Sequence, residues 1–454
     1  MIAKWTGELR ATFHLAAPLA IAHAGMQLMG LVDTAVVGRL GATQLGAVGI
    51  ANALFFFIGT FGVGIVMGVD PLIAQAFGSG ARIRARLILW QGVWLASICG
   101  AVLSVPMILS PAMLPLIGVD KAIASEATAY LVVRTFSLVP LLVYFVIRGY
   151  LQARLVTRPI VWSMIIGNVF NLVADIVLVH GGQGLPAWTG PLRWMPSYGI
   201  VGAGIASVAG SLLGLWILAD GVRRLEIDLS DVRHRALAPV EFAKAFRVGL
   251  PAGLHLGAEV GIFALVALLA GRLGESDLAA HQIAISLAAM TFTVVMGISA
   301  AASVRVGHAI GSRDIEGTRR AGLVSVLAGA LFMFFCAILF WTFPRQLASL
   351  FTGSPEVIAT AVPLLFVAAI FQISDGIQGV SAGALRGAGD TTFTFLASLV
   401  GHWFVGFPVA LGLGFGLGMG IVGLWWGLSA GLTAVAAILL VRFMGLSAAA
   451  IEPL

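Results

Sequence analysis

The chain has 454 residues, 59% of them hydrophobic and only 10% charged, with a formal net charge of +6. A water-soluble domain carries about 25% charged residues, so this composition excludes a soluble globule. A transmembrane β-barrel is excluded as well: its short alternating segments do not dominate, whereas long apolar runs do, and residues 290–303 and 324–342 hold no charge at all.

About 20 apolar residues in a helix cross a bilayer core, and lipid leaves the backbone few other ways to pair its polar groups. In chain order, spans are predicted at 13–38, 47–77, 86–106, 121–147, 159–180, 199–221, 246–271, 279–310, 320–342, 356–385, 393–415 and 420–443. The first carries Asp33 and is followed by no small-residue cleavage site, so it reads as a retained helix. The expected fold is an all-α polytopic membrane protein of twelve transmembrane helices in two pseudo-symmetric six-helix lobes. Residues 1–225 form the first lobe, 226–245 a charged cytoplasmic linker, and 246–454 the second.

With the amino terminus inside, twenty Lys and Arg fall on the inner side and five (Arg39, Lys121, Arg193, Arg272 and Arg345) on the outer, leaving Arg134 within a span. This positive-inside bias predicts cytoplasmic termini and a cell (inner) membrane location. It also accounts for the net charge. The basic residues are scattered over loops, so no nucleic-acid partner is expected. Cys99 and Cys336 both fall in spans, which argues against a disulfide or a cysteine metal site.

The two halves are related. Shifted by 233 residues, Pro18 falls on Pro251 and the GRLG run from Gly38 to Gly41 falls on Gly271 to Gly274; 17 of the 67 positions from Phe13 to Ser79 match without a gap. A shift across six spans keeps membrane orientation. Parallel repeats of this kind are typical of transporters that rock one half against the other around a central site.

A carboxylate at mid-bilayer costs about 2.5–3.5 kcal/mol, so acids inside spans are functional candidates. Glu259 lies near the middle of span seven, Asp375 in span ten, and Asp33 in span one, where the outer interface is its bland alternative. Asn168, Asn171 and Asp175 share one face of span five; interhelical hydrogen bonding is the competing explanation. Asp70, before Pro71, reads as a helix-end acid. Gly249, Gly253, Gly257 and Gly261 form a packing stripe on span seven, and Glu259 points away from it with His255 one turn behind. His255, like His281 and His402, is more often a satisfied core histidine than a proton partner. Phe55, Phe56, Met290 and Phe292 read as packing first, with an adaptable cavity lining as the alternative. There is no GxxxxGK[ST] phosphate loop and no HExxH pattern. An ion gradient, rather than ATP or a cofactor, is therefore the expected energy source, and no enzymatic activity is expected.

Several motifs together resemble the multidrug and toxic compound extrusion (MATE) family, and its NorM-like branch most closely. They are QLMGLVDTAVVG from Gln27 to Gly38, Leu250-Pro251 through Glu259, AHQIA from Ala280 to Ala284, SVRVG from Ser303 to Gly307, and Asp375-Gly376 followed by LRGAGDT from Leu385 to Thr391. The resemblance implies export of cationic amphiphilic small molecules in exchange for Na⁺ or H⁺, with Asp33, Glu259 and Asp375 as the functional acids and Na⁺ at Glu259 and Asp375. It implies a monomer in the lipid bilayer. One departure stands out. Asn171 and Asp175 are similar to the fifth-helix pair of the DinF-like branch, and Ser207 sits where that branch often has Thr, so acidic elements of both lobes' ion sites are present. Two other readings stay open: a flippase for lipids or lipid-linked saccharides, which would want cationic cavity residues such as Arg134, and an intramembrane enzyme.

Overall fold

The computed structural model describes residues 2–183, 187–225 and 235–454; residues 226–234 of the expected linker lie outside the described residues. The described residues hold no strand. Sixteen α-helices follow in order: α1 Ile2–Val37, α2 Ala42–Val66, α3 Val69–Gly78, α4 Arg82–Leu109, α5 Lys121–Thr135, α6 Leu138–Ala153, α7 Arg158–His180, α8 Gly199–Leu225, α9 Pro239–Leu273, α10 Glu275–Gly311, α11 Ile315–Thr342, α12 Pro344–Ser349, α13 Pro355–Ala388, α14 Thr391–Ser398, α15 Phe407–Leu411 and α16 Gly420–Leu446. Eleven helical segments are long and apolar enough to cross a membrane, and α5 with α6 makes a twelfth span bent by 45°. The expected twelve spans are all found, most of them a few residues longer than their hydropathy limits.

Two of the breaks inside spans share a cause. A proline ring collides with the carbonyl four residues earlier. Pro140 faces the carbonyl of Phe136, at the α5–α6 bend, and Pro71 faces that of Met67, between α2 and α3. At the first bend the Ser137 hydroxyl donates to the Arg134 carbonyl at 2.6 Å, beside the Ser137 backbone N–H at 2.8 Å. Asp70 occupies the first turn of α3, where a carboxylate meets the positive helix end. That placement agrees with its reading as a helix-end acid. Span eleven is broken differently: π-helical turns at Leu399–Gly406 and Gly412–Gly416 flank α15.

The chain packs into two units. One comprises 1–21, 70–85 and 247–454; the other comprises 22–69 and 86–246. The lobes of the sequence reading are defined by duplication, whereas these units are defined by packing, and they cross the duplication boundary at 1–21 and 70–85.

In the first unit the start of α1 is fixed by Glu8, whose carboxylate accepts from Arg305 at 2.7 Å and lies 3.7 Å from Arg320 Nε. Gln75 of α3 donates to the Gly387 carbonyl at 3.1 Å. The core of this unit gathers Ile262, Leu287, Phe371, Trp425 and Leu428. Helices α10 and α13 touch backbone to backbone: a Cβ on Gly383 or Gly387 would overlap the carbonyl of Ser299 or Ser303. In the second unit α7 packs on α8, α2 on α5 and α6, and both α5 and α6 on α8. Large apolar side chains remain exposed along the spans, among them Phe334, Phe335 and Ile338 of α11. A helix that is apolar on its outward face suits lipid.

Candidate functional site

In the second unit, α1, α2, α5, α7 and α8 bring polar side chains to one buried place. Arg134 Nη1 lies 2.6 Å from Ser207 Oγ, 2.9 Å from Tyr130 Oη and 3.4 Å from Asp33 Oδ2. Ser207 donates to the same Asp33 oxygen at 3.1 Å, and Tyr130 donates to Asn52 Oδ1 at 3.2 Å. The guanidinium also lies over the Phe55 ring, 4.6 Å from its centroid. Asp175 of α7 adjoins Asp33. Asp33, Asn171 and Asp175 are each 0% exposed, so Asp33 is enclosed by protein on every side.

This set is rich in uncommitted oxygen. Asp33 Oδ1, both Asp175 oxygens and Asn171 Oδ1 have no hydrogen-bond partner among the described residues. Buried acceptors left without a donor are costly, and a proton or a hard cation would relieve them. Asn168, at the other end of the α7 ladder, has a different job. It donates to the Gly25 carbonyl at 3.0 Å and lines a small, mostly apolar cleft with Gly25, Met26, Met29, Tyr144 and Met164.

The first unit holds a second acid pair. His255 and Glu259 lie on α9, with His255 Nε2 3.7 Å from Glu259 Oε2. From α13, Gln378 Nε2 reaches Glu259 Oε1 at 3.5 Å. Asp375, one turn before Gln378 and buried, has Glu259 as its charged neighbour. His402, from the π-helical turn, and Arg386 also act electrostatically on His255. Of the predicted stripe, Gly249, Gly253 and Gly257 are buried and Gly261 is half-buried; Glu259 leaves the helix about 200° round from Gly257. Among the described residues no three His, Cys, Asp or Glu converge as metal ligands. A Na⁺ ion held by Glu259 and Asp375 would therefore complete its shell with neutral oxygens.

The remaining candidates separate cleanly. His281 accepts from Trp425 Nε1 at 3.2 Å and is a satisfied core histidine. Phe55 is buried beneath Arg134, Phe56 and Met290 are exposed, and Phe292 packs near Gly379. Sequence reasoning passed over Tyr130, Asn52 and Gln378. Two signals were there to be read: Tyr130 precedes Arg134 by one helical turn inside a span, and Gln378 follows Asp375 by three residues.

A duplicated, all-helical membrane protein with carboxylate pairs buried in its spans is built as a secondary transporter. The MatE family model matches twice, at residues 18–177 and 251–412, and the two matches begin 233 residues apart, the displacement seen in the internal repeat. The chain belongs to the MATE family. It is 32% identical over 451 residues to a probable multidrug resistance protein NorM of Rhizobium meliloti (strain 1021), covering 98% of this chain and 94% of that one. It is 36% identical to the corresponding protein of Rhodopseudomonas palustris (strain ATCC BAA-98 / CGA009), covering 97% and 92%. Among solved structures, a MATE protein in its bent conformation superposes with a TM-score of 0.86 at 19% identity over 98% of both chains. The eukaryotic MATE transporter AtDTX14 gives 0.84 at 20%, over 97% of this chain and 96% of that one.

Proposed function

We propose that this protein is a secondary active exporter that expels cationic amphiphilic small molecules in exchange for Na⁺ or H⁺. The observation that carries the reading is a pair of carboxylates buried in the spans of each packing unit, Asp33 with Asp175 and Glu259 with Asp375. The multidrug resistance names of the NorM relatives support the substrate class. The Lys and Arg bias supports an inner-membrane location with both termini cytoplasmic. The exporter works as a monomer, needs no cofactor beyond the coupling ion, and has no nucleic-acid partner.

The cycle follows from charge. In an outward-facing state the coupling ion binds the buried acids and neutralises them. A cationic substrate then loses its counter-charge and leaves outward. The ion-loaded protein turns inward, releases the ion and accepts new substrate. Coupling needs only opposed affinities for ion and substrate, and the effect is reciprocal. In the C-terminal half, Glu259 and Asp375 bind the ion while His255 and Gln378 orient Glu259. In the N-terminal half, Asp33, Asn171 and Asp175 supply the oxygens and Ser207 orients Asp33.

The test is purified protein in liposomes preloaded with a fluorescent cationic dye, given an inward Na⁺ gradient at fixed pH or an inward H⁺ gradient without Na⁺. Dye release under one gradient establishes antiport and names the ion. Release under neither overturns the assignment for this class of substrate.

A further inference from the structure

Arg134 is the one Lys or Arg that the charge map assigns to neither side of the membrane, and its charge is permanent. Its surroundings explain how it is held. One nitrogen, Nη1, carries two hydrogens yet faces three acceptors, and the carboxylate of Asp33 at 3.4 Å is the most distant, behind Ser207 at 2.6 Å and Tyr130 at 2.9 Å. The guanidinium also stacks over Phe55 at 4.6 Å and lies 5.6 Å from the Tyr130 ring centroid. Neutral groups therefore fix the guanidinium. When Asp33 is neutralised by an ion or a proton, Ser207, Tyr130 and Phe55 still hold Arg134 in place, and its positive charge stays in the site.

The consequence is arithmetic. Two ionised acids, Asp33 and Asp175, would make a site that accepts two positive charges. When both acids are ionised, Arg134 fixed among them leaves the set a single net negative charge. We propose that Arg134 is a specificity-determining residue: it makes the Asp33–Asp175 site a one-charge site, open to one monovalent cation and selecting against organic dications. This rests on the reading that cationic substrates use this site, and it adds a rule about which cations are admitted.

Ethidium and propidium test the rule, because they share one phenanthridinium ring system and carry one and two positive charges. Their binding to the purified protein is followed by fluorescence, without any gradient. The wild type should favour ethidium. In R134Q the preference should shift towards propidium by about tenfold or more, the scale of one added charge interaction in a partly buried site. R134K, which keeps the charge, should keep the wild-type ratio. D33N/R134Q removes both members of the ion pair and should restore the ratio even if R134Q alone folds poorly. An unchanged ratio in R134Q, or R134K behaving like R134Q, overturns the proposal. Failure of the antiport reading is seen elsewhere, in the gradient-driven release of dye by the wild type, which does not depend on the binding ratio.

Discussion

The amide of Gln378 on α13 meets the carboxylate of Glu259 on α9 at 3.5 Å, and so joins the two helices that carry the second acid pair. The contact is long for an N–H···O bond, and Glu259 keeps 14% of its side chain exposed. A carboxylate held this loosely can trade the amide for an ion.

Removing the charges should stop the cycle. E259Q and D375N should each abolish gradient-driven dye efflux, because an amide cannot hold the coupling charge, while membrane insertion stays normal. Normal efflux in both would remove the C-terminal acids from the coupling machinery.

Gln378 should tune and not disable. Q378L takes away one neutral donor from Glu259, a contribution of about 1.5–3 kcal/mol for a hydrogen bond to a charged group and less at this length. The expected result is a shift of about tenfold in the ion concentration for half-maximal efflux, with the maximal rate changed little. A collapse of the maximal rate instead would make Gln378 part of the turning step.

The Glu8 cluster should matter for stability. Glu8 is 6% exposed and paired with Arg305 and Arg320, which are 26% and 19% exposed. E8A leaves two arginines facing each other without a counter-ion. Loss of a fully buried pair costs about 3–5 kcal/mol; with the arginines partly in water, about 1–2 kcal/mol is expected. A lowered melting temperature in detergent checks it, and E8D should recover part of the loss.

His281 should prove silent in transport. H281L leaves the Trp425 N–H without its acceptor, which costs about 1–3 kcal/mol, so thermal stability should fall while the coupling ion and dye affinity remain as in the wild type. A change in ion dependence would show that His281 belongs to the proton path after all.

What could be read from the chain, and what could not, divides along physical lines. Period and composition act locally, so the spans were legible, as was the side of α9 on which Glu259 leaves the helix: the glycine stripe fixes that by angle alone. The GRLG match revealed the duplication. The ion pair between Arg134 and Asp33 joins residues 101 apart in sequence, and Glu8 meets Arg305 across 297. Such pairings depend on how helices cross, which no periodicity encodes. The same applies to the packing of 1–21 and 70–85 with the C-terminal half. The helix breaks at Phe136 and Met67 lay between, for each is announced by a proline four residues later but needs the backbone to show that the helix yields there.

The glycines of α13 have a mechanical consequence. Where Gly383 and Gly387 lie against the Ser299 and Ser303 carbonyls, α13 contributes no side chain that could swing aside. Such a pair behaves as a stiff rib: α13 cannot lean towards α10, because the carbonyls already fill the space. Asp375 rides on that rib, with the pivot side closed behind it. Both helices of the acid pair carry a proline, Pro251 in α9 and Pro363 in α13, but only α13 is closed on one side, so a change in the Asp375–Glu259 distance along that direction falls to the helix that carries the glutamate.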